Sequence, residues 1–227
     1  MVGDAMPEHG DSEHARILAE MNERYDQALS ESGGGNAAVL WADEQSQYLR
    51  FHELARHLDL SDSNKSLLDV GCGNGEFYKF LNFNGYRGSY RGIDVNTGLL
   101  SEAGDRFPDI DVAAVDLMTS PVIGRFDYVV CSGLFNVNVG QKSDWVYTMV
   151  KKMFEHAEGL LAFNLISTHV TYVDPGMFYV DPSECLSYCI RELSPQVSLS
   201  HHEPPYNYTT VVRRDVEWSS IDERART

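Results

Sequence analysis

A glycine-rich turn between a buried strand and a helix constrains this chain more than any other feature. The apolar run of residues 66–70 (SLLDV) has the length of a strand, and a helical pattern begins at Phe77. Between them stand Gly71, Gly73 and Gly75. Glycine adopts a left-handed backbone at little cost and lets a ligand approach the main chain closely. The stretch therefore predicts a ligand site that offers backbone N–H groups and a helix N-terminus.

Two acidic residues add to this prediction. Asp69 lies inside the strand just before the turn, and Asp94 lies in the next strand-like run, residues 90–95. Asp94 follows the last glycine by about 20 residues, the spacing at which an acidic group reaches a ribose diol in a βαβ unit. The two positions therefore indicate a ligand that carries a ribose.

Strands and helices alternate along most of the chain. Two helices are predicted first, at 12–30 and at about 36–58, with a triple-glycine joint between them. Strands are then predicted at 66–72, 89–95, 110–117, 126–132, 159–167, 197–203 and 208–213, and helices at 75–84, 97–107, 142–157 and from Asp181 onward. The order predicts an α/β fold, a three-layer sandwich preceded by N-terminal helices. Its mostly parallel seven-stranded sheet ends in an antiparallel strand, because the last two strands form a hairpin.

The composition argues against several partners and sites. The chain of 227 residues has a net charge of −16, from 18 Lys and Arg against 34 Asp and Glu, so we expect neither a nucleic acid nor an anionic membrane as partner. No apolar run approaches the length of about 18 residues that suggests a membrane span, and the N-terminus has no signal-peptide pattern. A cytoplasmic protein with reduced cysteines is expected. Cys185 and Cys189 share a helix face without further ligands nearby, so no metal site is expected.

The turn and the strands after it resemble a known family. Residues 68–75 (LDVGCGNG) are similar to motif I, D-x-G-x-G-x-G, of the class I S-adenosylmethionine-dependent methyltransferases. Asp94 and Asp116 match the acidic positions after that family's second and third strands, and residues 126–132 match its fourth strand. The final hairpin matches its reversed seventh strand. The resemblance covers about residues 40–215.

The resemblance implies S-adenosylmethionine as cofactor and S-adenosylhomocysteine as its product. The glycine turn would pass under the methionine part, Asp94 would accept the ribose hydroxyls, and Asp116 would receive the adenine amino group. Arg50, ahead of the turn, is either a partner of the cofactor carboxylate or a surface charge. The implied cofactor-binding residues are Arg50, Asp69, Gly71, Cys72, Gly73, Asp94, Val95, Asp116, Leu117, Ser132 and Gly133.

The same resemblance divides the chain into four parts. Residues 1–11 and 218–227 are expected to be tails, and residues 12–60 form N-terminal helices that cover the active site. The methyltransferase domain then spans 61–217 and carries a lid-like insertion at 168–180.

The acceptor side has candidates but no fixed signature, because methyl transfer from a sulfonium is a direct displacement. The candidates are Asn136, His169 and Tyr172, which follow the fourth and fifth predicted strands. His169 is either a general base or a hydrogen-bonded loop residue. Asn136 either holds a polar group of the acceptor or shapes a turn, and Tyr172 either belongs to a lid or packs on the core.

The leading hypothesis is methyl transfer to O or N of a small molecule, a specialised metabolite or an amino-acid-like compound, by a monomer or homodimer. The alternatives are a protein methyltransferase and a non-catalytic module that binds a nucleotide cofactor. A nicotinamide-dependent oxidoreductase is disfavoured, because Gly75 follows Gly73 too closely for the dinucleotide fingerprint G-x-G-x-x-G.

Overall fold

The computed structural model describes residues 9–40, 43–120, 124–202 and 204–214. Helix α1 (His9–Ser32) is followed by a short 3-10 helix (Asn36–Val39) and by α2 (Glu44–Ala55). Helix α1 therefore begins three residues before the predicted start, and the triple glycine ends it as expected. The remainder of the two expected tails, 1–8 and 218–227, lies outside the described residues.

A seven-stranded sheet forms the centre of the protein, with the strand order β3-β2-β1-β4-β5-β7-β6. Strand β7 is antiparallel to both β5 and β6, which confirms the predicted fold. The strands are β1 (Ser66–Val70), β2 (Ser89–Asp94), β3 (Val112–Ala114), β4 (Phe126–Cys131), β5 (Ala157–Ile166), β6 (Val197–Ser200) and β7 (Asn207–Arg213). The later helices are α3 (Glu76–Phe83), α4 (Thr97–Arg106), α5 (Ser143–His156) and α6 (Pro182–Glu192).

Apolar clusters lie on both faces of the sheet, as the pleat of a strand requires. On β1, Leu67 belongs to the cluster that contains residues of α2 and α3, whereas Leu68 belongs to the cluster that contains residues of α5 and α6. Ile17 and Met21 of α1 are buried in this second cluster, so α1 is part of the core. Among the described helices, none is long and apolar enough to cross a membrane.

Strand β3 is shorter than the sequence pattern predicts. The pattern covers 110–117, but the ladder with β2 contains only Val112–Ala114. The side chain of Asp116 accepts hydrogen bonds from the Met118 N–H at 3.0 Å and from Thr119 Oγ1 at 2.8 Å. This local turn competes with strand pairing, because a short acidic side chain can bond the backbone that follows it.

Candidate functional site

A cavity of about 380 Å³ lies at the carboxyl ends of the parallel strands, beneath α1 and α2. Its position and size are typical of ligand sites in open α/β folds. Most of the sequence-predicted cofactor residues line it, namely Arg50, Asp69, Gly71, Cys72, Gly73, Asp94, Val95, Ser132 and Gly133. The structure thus brings together groups that lie far apart in the chain.

The glycine turn runs along one wall of this cavity and is attached to β2. The N–H groups of Gly71 and Cys72 donate to the Ile93 carbonyl at 2.8 and 3.1 Å. Gly71 and Gly73 have φ values of 75° and 53°, in the left-handed region that favours glycine. A Cβ on Gly73 would lie only 3.1 Å from Val39 Cγ1, so the absence of a side chain lets the turn pack closely against the 3-10 helix.

Asp94 fixes the end of β2 against the turn. Its Oδ2 accepts the Gly73 N–H and its Oδ1 accepts the Asn96 N–H, both at 2.9 Å. Burial raises the pKa of Asp94, although both hydrogen bonds act in the opposite direction. Each carboxylate oxygen can accept more than one hydrogen bond, so the carboxylate still has capacity for hydroxyl groups of a ligand.

Asp69 lies deeper beneath the same turn, where it is only 2% exposed. Its Oδ2 accepts the Tyr90 hydroxyl at 2.7 Å. Burial raises the pKa of Asp69 to about 7, even though the bond from Tyr90 favours the ionised form. A positively charged ligand group at this wall would stabilise the carboxylate.

We expect Asp69 to make the unfolding free energy depend on pH. The pKa of Asp69 is 3.8 as a reference and about 7 in the fold, so between these values the folded state holds a proton that the unfolded chain has lost. Its contribution to stability is therefore present below pH 4 and is lost as the pH rises to about 7. Urea unfolding of the wild type and of Asp69→Asn should show that the advantage of the wild type shrinks across this range. A constant difference between the two proteins would contradict the expectation.

Helix α1 closes the edge of the site near β3. Trp145 Nε1 donates to His14 Nδ1 at 3.1 Å, so His14 Nε2 carries the proton and donates to Asp116 Oδ2 at 2.9 Å. Burial acts against ionisation of Asp116, but the bonds from His14, Thr119 and Met118 lower its pKa. Neither Asp116 nor Leu117 is among the residues that line the cavity. Their role in binding adenine stays a prediction. For Asp116 to accept the adenine amino group, its hydrogen bond with His14 would have to break.

Further contacts hold α1 and the glycine joint on α4. Asn96 Nδ2 donates to Asp26 Oδ1 at 2.8 Å, and the Gly35 N–H donates to Glu102 Oε1 at 2.8 Å. Leu18, Met21, Asn22 and Tyr25 of α1 line the cavity. The spacing of apolar residues predicts the helix and its apolar face, but the sequence carries no signal for the surface that this face contacts.

Among the described residues that line the cavity, Arg50 of α2 is the single lysine or arginine. Arg50 is 8% exposed, and burial lowers its pKa to about 10, so it stays positively charged at neutral pH. Gln47, one turn earlier, is also buried and lines the cavity. Its Oε1 has no hydrogen-bond partner among the described residues, which leaves a polar group for a ligand.

The acceptor candidates separate into two groups. Asn136 and Tyr172 line the cavity, whereas His169 does not. His169 is exposed, its N–H donates to Ser167 Oγ at 3.0 Å, and its ring lies 6.4 Å from that of His201. The geometry favours the reading of His169 as a hydrogen-bonded loop residue.

These groups fit S-adenosylmethionine by their chemistry. A glycine-rich turn, the half-buried Asp94 at the end of β2 and the Arg50 guanidinium match a methionine chain, a ribose diol and a carboxylate respectively. The Gln47 oxygen, which has no partner among the described residues, is a buried polar group available to a ligand.

Comparisons with known proteins give the same assignment. Residues 67–157 match the family described as "Methyltransferase domain". The Mycobacterium tuberculosis protein "Putative methyltransferase Rv1506c" is 28% identical over 156 residues, which is 66% of this chain and 93% of that protein.

Solved structures share the fold at low sequence identity. Magnesium protoporphyrin IX methyltransferase from Synechocystis with bound SAM has a TM-score of 0.61 at 14% identity, over 94% of this chain and 100% of that one. The N-methyltransferase NodS of Bradyrhizobium japonicum with bound S-adenosylhomocysteine has a TM-score of 0.62 at 16% identity, over 86% and 98%. The small RNA methyltransferase HEN1 has a TM-score of 0.60 at 14% identity, over 74% and 25%. The fold alone therefore does not identify the methyl acceptor.

The family match includes the glycine turn, and the strand order and the cavity agree with it. Together these findings support a class I S-adenosylmethionine-dependent methyltransferase.

Proposed function

We propose that the protein transfers a methyl group to an oxygen or nitrogen atom of a small molecule, such as a specialised metabolite or an amino-acid-like compound. The observation that carries this proposal is one cavity whose lining includes both the glycine turn and residues of the segment 168–180. A cofactor on the turn and an acceptor beneath the segment would meet in one space. Direct displacement requires such alignment of the nucleophile with the methyl group.

One group of residues binds the cofactor, and another group surrounds the reacting atoms. The turn, Asp94 and Arg50 hold the cofactor, which when bound supplies a methyl group on a positively charged sulfur. Apolar side chains at the other end, among them Ile166 and Met177, exclude water from the reacting atoms. No described histidine lines the cavity, so the acceptor atom is expected to attack without help from an imidazole base.

The size and cover of the cavity favour a small acceptor. The volume of about 380 Å³ has to hold both the cofactor and the acceptor, and ligand cavities begin at about 300 Å³. Helix α1 and the segment 168–180 cover it from two sides, which limits access for a folded protein. The net charge of −16 disfavours a nucleic acid, because phosphate backbones are bound by clustered cations.

The proposal is tested by incubating the protein with methyl-labelled S-adenosylmethionine and a cell extract, followed by separation of small molecules, protein and RNA. Label is expected in the small-molecule fraction, and a boiled enzyme serves as the control. Label confined to protein or RNA would refute the small-molecule acceptor. Cofactor binding without transfer to any fraction would support the non-catalytic alternative.

A further inference from the structure

The acceptor end of the cavity has its own residues, distinct from those around the glycine turn. They come from two neighbouring pieces of chain, the segment 168–180 and the turn before β7. The tyrosines Tyr172, Tyr179 and Tyr206 line this end together with Asp174. The N–H of Ser167 donates to the Tyr206 carbonyl at 2.8 Å, so the two pieces are joined by backbone at the end of β5.

Tyr206 occupies a backbone conformation that a tyrosine rarely adopts. Its φ is 66°, and among the described non-glycine residues only Leu40 shares a positive φ. Both of these residues line the cavity. A left-handed backbone is unfavourable for a residue with a Cβ, and such strain gathers at functional sites. Since glycine would suit this position better, the Tyr206 side chain carries a conformational cost here.

Burial of the ring offsets only part of this cost. Tyr206 is 43% exposed and the nearby Tyr172 is 74% exposed, so both rings face solvent at the cavity mouth. The Tyr206 hydroxyl lies 2.8 Å from Thr171 Oγ1, which fixes the ring relative to the segment 168–180. Exposed, fixed aromatic rings are surfaces on which planar or cationic groups of a ligand bind.

The charges at this end have one sign. Asp174 contributes a carboxylate, which accepts the Gly176 N–H at 2.8 Å. Among the described lining residues, Arg50 is the single lysine or arginine, and it lies on α2 beside the glycine turn. An anionic acceptor would therefore meet a carboxylate and no cation at the mouth, whereas a cationic one would meet a carboxylate and aromatic faces.

We propose that Tyr206, with Tyr172 and Asp174, forms a binding rim that selects a small aromatic amine as the methyl acceptor. The aromatic body lies against the two tyrosine rings, and the ammonium group is attracted by the carboxylate and the ring faces. Before transfer the ammonium group releases one proton to bulk water at the exposed rim. The neutral nitrogen then attacks the methyl carbon, and S-adenosylhomocysteine leaves. Tyr206 acts as a specificity-determining residue, and its backbone strain is the cost of presenting the ring. This inference rests on the proposed function, because it concerns the acceptor end of the same cavity.

The test measures binding of three probes of similar shape to the protein saturated with S-adenosylhomocysteine. The probes are 2-phenylethylamine, 2-phenylethanol and 3-phenylpropanoate, and dissociation constants are obtained by saturation-transfer NMR. We expect the amine to bind at least about tenfold more tightly than the carboxylate. Equal or tighter binding of 3-phenylpropanoate, or no binding of the amine, would overturn the proposal. Failure of S-adenosylhomocysteine to bind in the first place would instead contradict the proposed function.

A variant separates recognition from structure. Tyr206→Gly removes the ring and relieves the left-handed strain, so the melting temperature should not fall while amine binding weakens at least about tenfold. Phe83→Ala is the matched control, because Phe83 is an aromatic residue of α3 that is 88% exposed and does not line the cavity. It should leave amine binding unchanged. A Tyr206→Gly protein that binds the amine as the wild type does would show that Tyr206 has only a structural role.

Discussion

Gly73→Val is expected to abolish cofactor binding in a protein that still folds. The new side chain would displace Val39, which lines the cavity, because even a Cβ at Gly73 lies 3.1 Å from Val39 Cγ1. We expect the affinity for S-adenosylhomocysteine, measured by titration calorimetry, to fall by more than about 100-fold, or roughly 2.8 kcal/mol.

The matched control is Gly85→Val, in the turn after α3. Gly85 also has a left-handed φ, 82°, but a Cβ there meets no atom within 4 Å. Both variants carry backbone strain, so both should lose some thermal stability, whereas only Gly73→Val should lose the cofactor. Circular dichroism checks the fold of each protein, and Gly73→Ala provides a smaller change if the valine is not tolerated. Binding by Gly73→Val within threefold of the wild type would exclude the turn as the methionine site.

Arg106→Leu is expected to produce the largest loss of stability. Arg106 forms an ion pair with Glu76, which is 3% exposed at the start of α3, and donates to the Asn74 carbonyl at 3.1 Å. Removal of one partner leaves a buried charge with too little compensation, although Lys79 lies 3.5 Å from the other carboxylate oxygen of Glu76. We expect the free energy of unfolding, measured with urea, to fall by about 3 kcal/mol.

Two further variants test whether the buried Glu76 carboxylate causes the expected loss of stability. Arg87→Leu removes an exposed arginine and should change stability by no more than about 0.5 kcal/mol. Combining Arg106→Leu with Glu76→Leu should restore part of the loss, because the uncompensated charge is gone. If the single variant Arg106→Leu were as stable as Arg87→Leu, the stabilising role of the Arg106–Glu76 ion pair would be contradicted.

The features that the sequence predicts well are those determined by residues close together in the chain. Alternating apolar runs and the glycine turn specify β1, the turn and α3, since strand length and left-handed glycine conformations are local properties. Most cofactor candidates consequently line the cavity. The apolar pattern predicts β3 too long, because the Asp116 side chain forms hydrogen bonds within the following turn and apolar periodicity carries no information about them.

Other features depend on contacts between distant parts of the chain. His14 and Asp116 are separated by 102 residues, and their hydrogen bond requires α1 to lie across the end of β3. The Pro204-Pro205 pair indicates a turn, but it does not indicate that Tyr206 takes a positive φ. The place of His169 after the fifth strand makes it a candidate base. The direction of its side chain depends on the path of residues 168–180, which have no periodic pattern.

Helix α1 is both a cover of the cavity and a part of the core, and this has a kinetic consequence. Ile17 and Met21 are 0% and 3% exposed, so lifting α1 would expose both side chains at a cost of about 1.5–3 kcal/mol each. Passage through the exposed tyrosine rim requires no such loss. If both molecules use that route, the cofactor has to enter before the acceptor and leave after the methylated product. Turnover would then follow a compulsory order, with the acceptor inhibiting at high concentration by occupying the route before the cofactor arrives.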